Sequence, residues 1–254
     1  MLWLPVRASN ARCDDRAVND TAPSRIRLRQ VALVADDLAA TERRIVDELG
    51  LSLCFRDPAV ATFGLHNALF PIGDRLLEVV SPTAPGTTAG RLLERRGGDG
   101  GYMAIFETDE ELEDLRRRVA SADVRVVFEA VGGGVTGLHL HPRDVGGAIV
   151  SIDRTDVWGE WPWAGPVWRE HVRPGPVDAM VAVEISAPDP DAMCRRWAEV
   201  LGRVAGERRI DLDDDTWVQF VTAGDRGAGL DAVILRSVGP MAPVSIAGCE
   251  FRSV

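Results

Sequence analysis

His139 and His141, two residues apart, are the strongest candidates for a reactive pair. The segment 137–153 reads GLHLHPRDVGGAIVSID, so His139 and His141 alternate with leucines. Side chains alternate between the two faces of a strand, and this spacing predicts that both imidazoles share one face. Imidazole moves protons and binds metals near neutral pH. We expect either a reactive surface with His141 as a catalytic residue, or a solvated strand face beside a turn.

The same segment predicts a β-hairpin that would hold these histidines. Pro142 ends the first run, the residues 144–147 (DVGG) supply a turn, and an apolar strand resumes at Ala148.

A strand, a helix and three strands form a pattern that repeats along the chain. In the first copy, the Asp36-Asp37 pair and Gly50 predict the ends of an amphipathic helix. The elements predicted for this copy are a strand at 26–34, the helix at 38–49, and strands at 51–56, 61–70 and 76–80.

The second copy follows a linking helix and a glycine-rich run, and a third begins near Val177. The linking helix is predicted at 88–96. The elements predicted for the second copy are a strand at 102–106, a helix at 110–122, a strand at 124–128 and the hairpin. The third copy has a helix at 190–201 and strands at 209–212 and 217–222, and after these strands the repeat fails. Four tryptophans among prolines and glycines at 158–176 predict a rigid strap across a module surface, rather than a stacking site for bases.

The fold class predicted by this pattern is α+β, with tandem βαβββ modules and a third partial module. The predicted domain boundaries are a disordered leader (1–25), a paired domain (26–154, with modules 26–83 and 99–154), a Trp/Pro-rich linker (155–176) and a third module with a truncated remnant (177–254).

Composition narrows the possible partners. The 254 residues carry a formal net charge of −10, which argues against nucleic acid or an anionic membrane as the main partner. The four cysteines are far apart and have no zinc-site spacing, which favours a reduced, cytoplasmic setting. No apolar run approaches the length of a membrane span.

The repeat, together with three motifs, resembles the vicinal oxygen chelate superfamily, which includes glyoxalase I, bleomycin-resistance proteins, extradiol dioxygenases and methylmalonyl-CoA epimerase. The motifs are LLEVVSP at the end of the first copy, the connector GRLLERRGGDGG, and HPRDVGG in the hairpin, which looks like the corresponding segment of the epimerases. The resemblance implies that paired modules form a cup with a divalent metal (Zn, Ni, Co, Mn or Fe) at its base.

The resemblance also implies where ligands would lie. Gln30 and Glu78 match metal-ligand positions of the first module, whereas Met103 and Ser151 stand where the second module would supply His and Glu. Met and Ser are weak donors for such a metal. We therefore keep both a metal-bound and a metal-free cup as hypotheses. In the metal-bound cup, Gln30 and Glu78 hold the metal. The expected substrate contacts are Met103, Ser151, Tyr102, Asn67 and His139.

Two functions remain open at the sequence level. The first is a metal-dependent isomerase or lyase, in which Glu78 or His141 moves a proton. The second is a metal-free protein that binds and sequesters a small molecule, as bleomycin-resistance proteins do. In either case the expected partner is a small organic ligand, and the chain is expected to be a monomer or a homodimer.

Overall fold

The computed structural model describes residues 23–254, so most of the predicted leader (1–25) lies outside the described residues. The helices are α1 (Leu38–Leu49), α2 (Thr88–Arg96), α3 (Leu112–Ser121), the single turn α4 (Pro142–Val145) and α5 (Pro190–Leu201). The strands are β1 (Ile26–Val34), β2 (Leu65–Ile72), β3 (Arg75–Pro82), β4 (Gly100–Thr108), β5 (Val126–Gly132), β6 (Val135–Leu140), β7 (Ile149–Thr155), β8 (Val177–Ala187), β9 (Arg209–Asp211), β10 (Trp217–Thr222), β11 (Gly229–Ser237), β12 (Val244–Ile246) and β13 (Cys249–Ser253).

The first two modules share one seven-stranded sheet, which we call sheet A. Its order is β2-β3-β1-β4-β7-β6-β5. The two modules meet where β1 and β4 pair antiparallel, and each of these strands has a parallel neighbour from its own module, β3 and β7. The predicted α+β class with tandem modules is therefore confirmed.

The remaining strands form sheet B, which repeats the central arrangement of sheet A. Its order is β12-β13-β11-β8-β10-β9, with β8 and β11 antiparallel and with β10 and β13 as their parallel neighbours. No helix follows β11, so the second half of this sheet consists of strands alone.

The helices begin and end where local chemistry dictates. The side chain of Asp37 accepts a hydrogen bond from the backbone N–H of Ala40, and Gly50 ends α1 in the left-handed conformation. Asp189 and Gly202 do the same for α5. A capping carboxylate contributes about 1 kcal/mol, and glycine takes the left-handed conformation without the penalty of a Cβ atom.

One hydrophobic core joins the two sheets. Trp197 of α5 is fully buried between Phe106 of sheet A and Phe220 of sheet B, with edge-to-face ring contacts at 6.2 and 5.7 Å. The sheets also approach closely at Gly101, where an added Cβ atom would lie 2.3 Å from the backbone oxygen of Leu230. Sheet A therefore has one face committed to this core.

Two local predictions are wrong. The segment 51–56 is not a strand: only a bridge between Phe55 and Leu69 pairs it with β2, and a 3-10 helix (Pro58–Phe63) follows. The prediction that both histidines share a strand face is also wrong. The strand β6 ends at Leu140, because Pro142 begins α4 and His141 becomes its N-cap residue.

Within residues 23–254, no helix is long and apolar enough to span a membrane.

Candidate functional site

The second face of sheet A, which we call the cup, is mostly apolar. Alternation in β3 sends Leu77 and Val79 into the core between the sheets and sends Leu76, Glu78 and Val80 into the cup. The buried apolar residues that form the cup come from four strands, and partly buried Ile149 of β7 lies beside them: Ala32, Val34, Leu65, Leu69, Leu76, Val80, Met103 and Ile105.

Glu78 is the buried carboxylate of this face. Its side chain accepts a hydrogen bond of 2.9 Å from the amide nitrogen of Gln30 and one of 2.6 Å from that of Asn67. The amide oxygen of Asn67 in turn accepts the backbone N–H of Asp57 at 2.8 Å, which fixes the orientation of the amide. Glu78 has no salt-bridge partner among the residues described, so neutral amides alone satisfy it.

Burial changes the acidity of two groups in the cup. Desolvation raises the pKa of Glu78 despite its two amide hydrogen bonds, which favour the ionised form. Burial also raises the pKa of Tyr102 to about 12, and the negative charge of Glu78 adds to this effect. Tyr102 is therefore a neutral phenol, and Glu78 holds a proton more readily than an exposed glutamate does.

A strap (157–172), part of the predicted Trp/Pro-rich linker, covers this part of the cup. Trp161 is 1% exposed, and its indole N–H donates a hydrogen bond of 2.7 Å to the amide oxygen of Gln30. Trp168 is 4% exposed and packs in the same apolar cluster. The strap thus occupies the space above Gln30. With Trp161 added, the hydrogen-bond network consists of Trp161, Gln30, Glu78 and Asn67.

Buried charges fasten the start of the strap. Glu107 of β4 accepts the backbone N–H of Gly159 at 2.7 Å and forms an ion pair with Arg27 at 2.7 Å. Arg29 donates to the backbone oxygen of Gly159 at 2.8 Å and lies 5.3 Å from the ring centroids of both Trp161 and Trp168. Removing one member of such a buried network leaves an uncompensated charge, so this end of the strap is firmly held.

The second module contributes a different polar group to the cup. Ser151 donates a hydrogen bond to Asp153, and the indole N–H of Trp163 donates to the other oxygen of Asp153 at 2.8 Å. Burial raises the pKa of Asp153 to about 6. His139 pairs with Ser151 across β6 and β7, and its ring contacts that of Phe128 at 5.3 Å.

His139 differs from the other polar groups of the cup. Burial lowers its pKa to about 4, so the imidazole is neutral at pH 7. The residue is half-buried, and its side chain makes no hydrogen bond with any residue in the described part of the chain. It can therefore accept or donate one hydrogen bond to a ligand.

The comparisons with known proteins agree with this architecture. Residues 27–152 match the family model described as glyoxalase/bleomycin resistance protein/dioxygenase superfamily. This paired-module domain belongs to that superfamily. No curated protein matches the chain significantly.

Two solved structures that match most of this chain share its fold at low sequence identity. A hypothetical protein from Staphylococcus aureus is 13% identical, with a TM-score of 0.66 over 90% of this chain and 99% of that one. A triple mutant of 4-hydroxymandelate synthase from Streptomyces coelicolor is 15% identical, with a TM-score of 0.63 over 85% of this chain and 71% of that one. Methylmalonyl-CoA epimerase from Mycobacterium tuberculosis is 22% identical, with a TM-score of 0.47 over 55% of this chain and 95% of that one.

The donor set does not fit the metal that the superfamily implies. The oxygen of Gln30 is engaged by Trp161, and both oxygens of Glu78 are engaged by amides. Met103 and Ser151 occupy the two positions of the second module, and Ser151 is bound to Asp153. Across residues 23–254, no three His, Cys, Asp or Glu side chains converge as a metal site would require.

The structure brings most of the predicted site residues to one face but separates one. Gln30, Glu78 and Asn67 lie together in the first module. Tyr102, on β4 of the second module, belongs to the same apolar cluster as the cup residues, and Met103, Ser151 and His139 also lie on the cup face of that module. His141 caps α4 instead: its Nδ1 accepts the backbone N–H of Arg143 at 3.2 Å, and no contact joins it to the Glu78 network in the described chain.

Four residues of the site escaped the sequence analysis. They are Trp161, Trp163, Asp153 and Glu107. The density of tryptophan signalled a packed strap, but nothing in the spacing linked an indole to Gln30, which is 131 residues away. Glu107 and Asp153 were detectable as lone carboxylates in apolar strands, where burial requires a partner.

Proposed function

We propose that the cup of sheet A binds a small organic molecule without a metal, and that Glu78 is the central polar contact. The observation that carries this proposal is the environment of Glu78, a carboxyl group that is 7% exposed, held by two amides and surrounded by apolar side chains. A concave apolar wall with a few fixed polar groups is the usual composition of a ligand site.

Two features support the metal-free form. The atoms of Gln30 and Glu78 that would coordinate a metal already have hydrogen-bond partners, and the second module offers only Met103 and Ser151. Glu78 contacts amides and, within the described chain, no cation. Because a nearby cation would favour the ionised form, its absence leaves a carboxyl group that can share a proton with a ligand.

The test uses ligand-observed NMR with a panel of small neutral and anionic organic molecules in buffer that contains a chelator. Binding is expected for wild type and is expected to be lost or weakened about tenfold in Glu78→Gln. Glu94→Gln is the matched control, because Glu94 is exposed on α2 and has no ion pair in the described chain. Equal binding by the Glu78 variant, or binding that appears only after a metal is added, contradicts the proposal.

Metal content separates this proposal from the metal-bound alternative. After incubation with Zn, Ni, Co, Mn or Fe(II) and desalting, mass spectrometry is expected to find well below one metal per chain. Stoichiometric metal that is lost in both Gln30→Ala and Glu78→Ala would overturn the metal-free cup.

The raised pKa of Glu78 favours a second candidate, an isomerase or lyase that moves a proton with this carboxyl group. An isolated carboxyl group with a raised pKa is a suitable base or acid near neutral pH. Binders from the panel are incubated with the protein in D2O, and deuterium incorporation is followed by NMR. Exchange that requires Glu78 and survives Glu94→Gln supports catalysis, whereas binding without exchange supports sequestration.

A further inference from the structure

The two outer ends of sheet A meet at a pair of phenylalanines. Phe63 ends the 3-10 helix (Pro58–Phe63) that packs beside the outermost strand β2, and Phe128 lies on the opposite outermost strand, β5. Their rings make an edge-to-face contact with centroids 5.0 Å apart. Because these strands are at the two ends of the sheet order, this contact closes the curled sheet.

This seam is much weaker than the strap that closes the cup elsewhere. Phe63 is 43% exposed and Phe128 is 40% exposed, and an aromatic pair contributes about 0.5–1.5 kcal/mol beyond its buried area. The strap, in contrast, has two buried tryptophans, two indole hydrogen bonds and the buried Glu107 network. Opening the cup at the seam therefore costs less than lifting the strap.

The segment that carries Phe63 contributes little buried surface. Gly64 ends the 3-10 helix in the left-handed conformation, and an added Cβ atom would lie 2.9 Å from a side-chain atom of Thr87. The 3-10 helix itself contributes no buried residue. Few buried contacts mean a low free energy of local opening.

His139 lies directly behind the seam. Its ring contacts Phe128, its half-buried imidazole has no hydrogen bond within residues 23–254, and its strand neighbour Ser151 is already committed to Asp153. A molecule that enters between the two phenylalanines meets aromatic edges first and a neutral hydrogen-bonding imidazole next. Charged ligands would lose their hydration at this apolar entrance.

We propose that the Phe63–Phe128 seam is the entrance to the cup, and that His139 selects neutral aromatic ligands that carry one O–H or N–H donor. The inference rests on the proposed function and names its ligand class. His139 acts here as a binding residue, and its imidazole accepts the hydrogen bond of the ligand.

The test of selectivity compares 1-naphthol with naphthalene, which has the same rings and no donor. Wild type is expected to bind 1-naphthol about tenfold more tightly, the value of one hydrogen bond. His139→Phe is expected to bind both probes equally, with the affinity for naphthalene retained, and His139→Gln is expected to keep part of the preference. His66→Phe is the matched control, because His66 is exposed on β2.

The test of the entrance measures association rates of 1-naphthol by stopped-flow fluorescence. Phe63→Ala is expected to raise the association and dissociation rates together by several-fold and to leave the affinity within about twofold. Val204→Ala, at a residue 87% exposed in a loop, is the control and should leave both rates unchanged.

The outcomes distinguish the two proposals. If wild type binds the probes but neither the preference nor the rates change in the His139 and Phe63 variants, the entrance and the selection by His139 are wrong while the metal-free cup stands. If wild type binds neither probe and no member of the NMR panel, the proposed function fails and the inference fails with it.

Discussion

The indole N–H of Trp161 donates a hydrogen bond of 2.7 Å to the amide oxygen of Gln30, the residue that the superfamily resemblance assigns to metal binding. The same amide donates through its nitrogen to Glu78 at 2.9 Å. An amide has one oxygen and one NH2 group, so these two contacts fix its orientation and occupy its oxygen. The strap therefore engages the oxygen atom of Gln30 through which this residue would bind a metal.

Replacing Trp161 should lower the stability of the protein. Trp161→Ala is expected to lower the free energy of unfolding by about 3–5 kcal/mol, because a fully buried indole leaves a large cavity. Trp161→Phe keeps a ring and leaves the oxygen of Gln30 without its donor, so it is expected to cost about 1–3 kcal/mol. Urea denaturation measures both values, and equal losses in the two variants would show that the hydrogen bond dominates over packing.

The close approach of the two sheets gives a prediction about the fold. A Cβ atom at Gly101 would lie 2.3 Å from the backbone oxygen of Leu230, so Gly101→Ala must push the sheets apart. We expect a loss of about 1–3 kcal/mol in the free energy of unfolding. Gly224→Ala is the control, because no atom lies within 4 Å of the added Cβ, and its effect should stay within about 0.5 kcal/mol. If Gly101→Ala leaves the free energy of unfolding unchanged, the sheets are not packed this tightly.

The sequence predicted the fold where local signals agree with the global pattern. The helices α1, α2 and α5 have their predicted bounds, because their apolar spacing and their capping residues identify the same ends. The segment 51–56 failed because alternation and β propensity do not determine whether a strand finds a partner. Only Phe55 pairs with β2, and the chain then turns into the 3-10 helix.

The candidate site was predictable only in part, for a physical reason. Gln30 and Glu78 are polar residues in apolar strands, and register across β1 and β3 brings them together. The contact between Trp161 and Gln30 depends on how the strap packs, which local pattern does not encode. For His141, the sequence predicted a placement that the structure does not have. Its spacing from His139 predicted a shared strand face, but Pro142 starts α4 and His141 therefore lies outside the strand.

His139 should make the protein sensitive to acid. Burial lowers its pKa to about 4 from an ordinary value of 6.5, so the unfolded chain binds a proton more readily than the folded one. The stability due to the neutral imidazole is fully present above pH 6.5 and is lost as the pH falls toward 4. Because the ring is half-buried, we expect a loss of about 1–2 kcal/mol. His139→Phe should remove this loss in urea denaturation at pH 7, 5 and 4, and an unchanged pH dependence would contradict the prediction.

Asp153 should act with the opposite sign. Burial raises its pKa to about 6 from an ordinary value of 3.8, so the folded chain holds its proton more tightly than the unfolded one. The contribution of Asp153 to stability is therefore fully present below pH 3.8 and is lost as the pH rises through 6, by about 3 kcal/mol at most. Asp153→Asn keeps an acceptor for the indole of Trp163 and should flatten this part of the stability curve. Asp225→Asn, at an exposed loop residue, is the control. If the Asp153 variant keeps the wild-type slope between pH 4 and 6, this carboxyl group is ionised in the folded protein and the cup is wetter at this point than its contacts indicate.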